Sequence, residues 1–187
     1  MITFNNFQRA KNSPIVDITL PTKSIIHLDG ENVNHEILHE KPFCGEVLYN
    51  QIPIFFFQKS FLKKMMCKII INEMFAQNLT LLENLHICAE ICNAKMIKNA
   101  PIKYFEIPNN LLNKKIYELE NDTINLAELG LLFYFGQKIS MIANVPASLA
   151  KNEKALHLIK TRVENGNDMI IQTGKKFEIP EIIQIPV

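Results

Sequence analysis

Residues 61–74 read Phe61-Leu62-Lys63-Lys64-Met65-Met66-Cys67-Lys68-Ile69-Ile70-Ile71-Asn72-Glu73-Met74. Phe61, Leu62, Met65, Met66, Ile69, Ile70 and Met74 recur at helical spacing, while Lys59, Lys63, Lys64, Lys68 and Asn72 fill the opposite face. A stripe of this kind predicts an amphipathic helix, and a helix at this position sets the reading of both flanks.

Downstream, Thr80 followed three residues later by Glu83 matches a capping box, in which each side chain serves a backbone N–H of the first turn. Leu82, Leu85, Ala89, Cys92 and Met96 line one face of the helix it opens, and Leu81, Ile87, Cys88 and Ile91 make the remainder apolar too. A helix apolar nearly all round is predicted at the domain centre, ending at Pro101. Ile102 to Ile107 reads as a short strand, and Pro108-Asn109-Asn110 opens a helix over Leu111 to Glu120. A longer helix is predicted from Thr123 to Ala143, with Leu126, Leu129, Leu132, Phe133 and Ile139 on its stripe. Pro146 starts a last helix that Gly166 caps. Met169 to Thr173, a turn at Gly174, and Phe177 to Ile179 form a predicted hairpin.

Upstream, Val16, Ile18 and Leu20 alternate with polar neighbours as a half-buried strand should. Pro21 and Thr22 turn the chain into a second strand over Ser24 to Leu28, closing a hairpin. Asn32 to Lys41 is predicted as a short helix stopped by Pro42. Val47 to Phe57 is extended, and Pro53 makes any strand there an edge. Strands, then a cluster of helices, then strands predict an α+β fold with a small, mostly antiparallel sheet packed on about five helices. The expected organisation is one domain over residues 1–187, with residues 1–13 irregular.

Composition narrows the function classes. The net charge is +1, so no global field draws the chain to nucleic acid or an anionic membrane. Only two arginines occur, Arg9 and Arg162, against 18 lysines; Arg is the preferred side chain for bidentate phosphate and guanine contacts. The Lys59/Lys63/Lys64/Lys68 face beside Phe55-Phe56-Phe57 is therefore read as solvated rather than nucleic-acid binding. Cys44, Cys67, Cys88 and Cys92 are too few and scattered for a disulfide framework, which points to a reducing compartment. Met1 to Ala10 lacks a signal-peptide pattern, and the apolar runs 52–57 and 130–136 are too short to span a bilayer. The expected location is cytoplasmic, with delivery into a host cytoplasm as a variant.

His35-Glu36-Ile37-Leu38-His39 is the His-Glu-x-x-His pattern. On a helix, residues four apart share one face, so two imidazoles can bind one Zn²⁺ while the intervening Glu polarises its water. Over these five residues the chain resembles zincin metallopeptidases. The resemblance implies His35 and His39 as ligands, Glu36 as general base and Glu73 as third ligand. Glu40, Lys41 and Pro42 follow the second His, where zincins continue the helix with uncharged residues. Cys88 and Cys92, with His86 nearby, lack the further ligands of a tetrahedral site and read as core. Cys44-Gly45 suggests a nucleophile with His86 or His157 as base. The six glycines are isolated and no Walker or dinucleotide spacing occurs. The leading expectation is a non-enzymatic interaction or assembly protein without a cofactor, acting on a protein partner or as a homo-oligomer. A zinc-dependent hydrolase at His35, Glu36, His39 and Glu73 is the alternative, and a Cys44 hydrolase or transferase the second.

Overall fold

The structure, a computed structural model, describes residues 1–30, 42–54, 57, 66–91, 107–133, 139–165 and 169–187. The predicted elements over 32–41, 61–65 and 102–106 lie outside these residues in whole or in large part.

Two sheets form. The first is antiparallel, in the order β2-β1-β4-β5, built from β1 (Ile2–Gln8), β2 (Val16–Leu20), β4 (Cys44–Tyr49) and β5 (Ile52–Pro53). The second contains β3 (Ile25–Asp29), β6 (Met66–Ile70), β7 (Ile139–Val145), β8 (Met169–Gly174) and β9 (Ile183–Pro186), in the order β6-β7-β8-β3-β9. Every pairing within it is parallel. Four α-helices occur among the described residues: α1 (Leu81–Ile91), α2 (Asn121–Gly130), α3 (Ala147–Lys151) and α4 (Glu153–Asn165).

The parallel sheet is the middle layer. Ile26, Leu28, Met141, Met169 and Ile171 face Ile2, Phe4, Phe7 and Leu20 of the antiparallel sheet. On its other face Cys67, Ile69, Ile142 and Ile170 pack against Leu81 and Leu85 of α1, Ala127 and Leu129 of α2, and Ala155 and Ile159 of α4. Strands covered on both faces need no polar alternation. This explains the main correction to the expected α+β fold with its small antiparallel sheet.

Met66–Ile70 and Ile139–Val145 are not helical. Both are parallel strands, with residues 139–143 buried throughout. Short continuous apolar runs fit helix and buried strand equally well, and burial on two faces decided for strand. The long helix expected to Ala143 stops at Gly130, where a 3-10 turn over Leu131–Phe133 follows. The last helix is broken at Asn152, whose side chain accepts the N–H of Ala155 at 3.1 Å and starts α4. Leu111 to Glu120 holds two 3-10 turns, Asn109–Leu111 and Ile116–Glu118, instead of a helix.

Neither predicted hairpin forms. β2 pairs with β1, whereas β3 enters the other sheet between β8 and β9. Residues 2–8, expected irregular, are β1, and Pro53 lies on the edge strand as its missing N–H requires. The capping box is present: Thr80 N–H donates to Glu83 Oε2 at 2.8 Å and Glu83 N–H to Thr80 Oγ1 at 3.2 Å. The helix it opens is peripheral rather than central, because Ile87 and Ile91 are 43% and 76% exposed.

Candidate functional site

In open parallel sheets, ligands bind outside the carboxyl ends of the strands. Here β6, β7 and β8 end alike. Asn72, just beyond β6, Asn144 near the end of β7, and Gly174 at the end of β8 have φ of 71°, 59° and 89°. Left-handed backbone is tolerated by Asn and Gly, and it turns each strand sharply at the sheet edge.

β7 also carries an irregularity: Ile142 pairs with Gln172 but Val145 with Gly174, so one extra residue bulges out. Bulges re-aim side chains next to functional sites. A Cβ on Gly174 would stand 2.6 Å from Val145 N, so the two strand ends approach as only glycine permits. Lys175 N–H donates to Val145 O at 2.9 Å and closes the pair.

A polar row crosses the same edge. Gln172, His27 and Gln184 are register partners on β8, β3 and β9. The His27 Nε2 hydrogen-bonds the Gly174 carbonyl at 3.0 Å, and the fully buried Gln172 donates to Lys175 O and accepts from Phe177 N–H. Gln184 donates to Asp29 and accepts from Lys176 at 3.3 Å. His27 Nδ1 and Thr173 Oγ1 are buried without a protein partner.

The loop after β6 is fixed from α2. Glu128, 1% exposed, accepts the N–H groups of Asn72 at 2.6 Å and Met74 at 3.0 Å. Burial pushes its carboxyl up to about 7, against the opposing pull of the Asn72, Met74 and Phe75 N–H groups. Asn144 Nδ2 donates to Glu73 Oε1 at 3.3 Å, tying this loop to the end of β7.

His35, Glu36 and His39 lie outside the described residues. Glu73 is exposed on the loop beyond β6 and bonded to Asn144. Cys44 is exposed on β4 in the antiparallel sheet, whereas His86 and His157 are exposed on α1 and α4, across the parallel sheet from it. Cys88 is buried in the helix-side core, as expected of a small hydrophobe. Asn144, His27 and Glu128 escaped sequence reasoning, and the sequence marks Gly174 only as a hairpin turn. The available signal was an Asn directly after an apolar run, at Asn72 and Asn144.

No family model matches the sequence, and no curated protein matches it. Solved structures do. A putative ABC transporter ATP-binding protein from Pyrococcus furiosus superposes with a TM-score of 0.73 at 17% identity, covering 98% of this chain and 96% of that one. The cbiO1 protein of Clostridium perfringens, part of the ABC transporter complex cbiONQ, gives 0.69 at 13% identity, over 96% and 80%. An ATP-binding cassette in a dimeric, post-hydrolysis state with ADP and Pi gives 0.66 at 15% identity, over 94% and 88%.

This likeness overturns the expected functions along with the expected fold. Two of these neighbours are ATP-binding proteins by description, one of them with ADP and Pi bound, and the third is part of an ABC transporter complex; none is described as a metallopeptidase or cysteine hydrolase. The non-enzymatic interaction or assembly protein without a cofactor, the zinc hydrolase and the Cys44 enzyme are withdrawn as readings. Among the described residues no helix is long and apolar enough to cross a membrane. The chain has the fold of ATP-binding cassettes.

Proposed function

We propose that this chain is the nucleotide-binding subunit of a cassette-type transport assembly, taking an adenine nucleotide at the carboxyl ends of β3, β7 and β8. The observation that carries this reading is the parallel order β9-β3-β8-β7-β6, matched over nearly the whole length of a putative ABC transporter ATP-binding protein. Such strand ends are where α/β sheets hold nucleotides. The dimeric state of one neighbour supports pairing with a second cassette, and the cbiONQ complex of another supports attachment to further transporter subunits.

The residues depart from the usual phosphate chemistry. P-loop proteins cradle phosphates with Gly-x-x-x-x-Gly-Lys-Ser/Thr and hold Mg²⁺ through that hydroxyl and an aspartate. Beyond β3 the sequence reads Asp29-Gly30-Glu31-Asn32-Val33-Asn34-His35-Glu36, with neither the lysine nor the hydroxyl. The donor set at the strand ends does not fit the magnesium ion, so no hydrolytic step is assigned to these residues.

Calorimetric titration with ATP tests the reading. Saturable binding of one ATP per chain is expected, weakened about tenfold by Lys175→Glu at the carboxyl end of β8. Lys23→Glu, just before the amino end of β3, should leave it unchanged. A folded protein that takes up no ATP at millimolar concentration would sink the proposal.

A further inference from the structure

Magnesium bound beside nucleotide phosphates takes oxygen ligands at about 2.1 Å in near-octahedral geometry. At the carboxyl ends the described strands offer Asp29 on β3, Thr173 and Gly174 on β8, Asn144 and Val145 on β7, and Asn72 and Glu73 beyond β6. Asp29 and Glu73 are the two carboxylates in this row. Their strands are separated by β8 and β7, three interstrand spacings or about 14 Å. One ion cannot bridge them.

Both carboxylates are also occupied. Gln184 donates to Asp29, and Asn144 turns its amide N–H towards Glu73. On β7, between β8 and β6, Asn144 is a neutral amide, and Val145 is buried and apolar. Among the described residues no three His, Cys, Asp or Glu side chains are grouped to hold a metal. The sequence from Gly30 to Pro42 contains no serine or threonine.

We infer that this chain binds its nucleotide without a divalent cation, because between the widely separated Asp29 and Glu73 the strand ends add no further carboxylate, and β7 presents the neutral Asn144. The inference rests on the nucleotide reading above. Without the ion, phosphate charge has to be met by backbone N–H groups and by cations such as Lys175, exposed at the end of β8. The nucleotide would then be held equally in magnesium and in chelator.

The experiment titrates ATP into the full chain twice, with excess MgCl₂ and with excess EDTA. Affinities within about twofold of each other are expected. Asn144→Asp, which keeps a side chain tolerant of left-handed backbone, should make binding at least about fivefold tighter in magnesium than in EDTA. Thermal midpoints of both proteins without ligand confirm that each is folded. A wild-type affinity that falls more than about tenfold in EDTA overturns the inference while leaving the nucleotide reading intact. An Asn144→Asp protein indifferent to magnesium removes Asn144 as its cause. Absence of binding in either buffer defeats the nucleotide reading and this inference with it.

Discussion

The carboxylate of Glu128 receives the Asn72 N–H at 2.6 Å from a loop 56 positions earlier in the sequence. With Met74 N–H as second donor, one buried side chain of α2 fixes the turn by which the chain leaves β6. Glu73 lies between these two donors and carries the contact to Asn144 on β7. The geometry of the candidate site thus depends on a residue in the helical layer.

Glu128→Gln keeps the volume but puts an NH₂ where an oxygen accepts, leaving a backbone N–H facing a donor. An unsatisfied buried donor costs roughly 1–3 kcal/mol. Urea denaturation should show a loss of that size. A change below about 0.5 kcal/mol would mean that water serves these N–H groups as well as the carboxylate does.

The same residue sets a pH dependence. With its carboxyl raised from 4.5 to about 7, folded Glu128 keeps a proton that the unfolded chain has already released. The folded state therefore binds more protons across this window, and stability falls as pH rises through it. The contribution is complete below pH 4.5 and lost above about 7, with a ceiling of about 3 kcal/mol. Denaturation midpoints between pH 5 and 8 should slope downward in the wild type, and Glu128→Gln should remove that part of the slope.

Gly174 is the next test. Alanine there meets both a φ of 89° and a backbone atom 2.6 Å away. Gly174→Ala should destabilise the fold by about 2 kcal/mol or more, with amide exchange accelerating first at Val145 and Lys175. Gly45→Ala should be worse, since its Cβ would stand 2.1 Å from the Asn6 carbonyl oxygen. Equal stability of the Gly174 variant and wild type would show that β7 and β8 can part at this edge.

Asn84 is a similar device in α1. It is 3% exposed, accepts the Ala76 N–H at 2.7 Å and donates to the carbonyls of Ala76 and Thr80. Asn84→Leu should lower stability by about 1–3 kcal/mol through the stranded Ala76 groups. A neutral result in thermal melts would assign the turn to Thr80 and Glu83 alone.

The sequence by itself determined whatever depends on near neighbours. The Thr80–Glu83 capping box and the pairing of Pro53 with Leu48 are local, because their partners lie within a few residues, and the alternation that half-buries β2 is written in its own side chains. Tertiary structure decided which apolar runs are strands. Met66–Ile70 and Ile139–Val145 carry apolar residues without alternation, and only cover from an antiparallel sheet on one face and helices on the other makes such runs strands. It also decided the site. Asn144, Glu73, Gly174, His27 and Glu128 are scattered over 148 positions, and they meet through the parallel pairing of β3, β7 and β8 and the packing of α2. Parallel strands need long crossovers, so their neighbours are remote in sequence, and no spacing rule can bring those neighbours together.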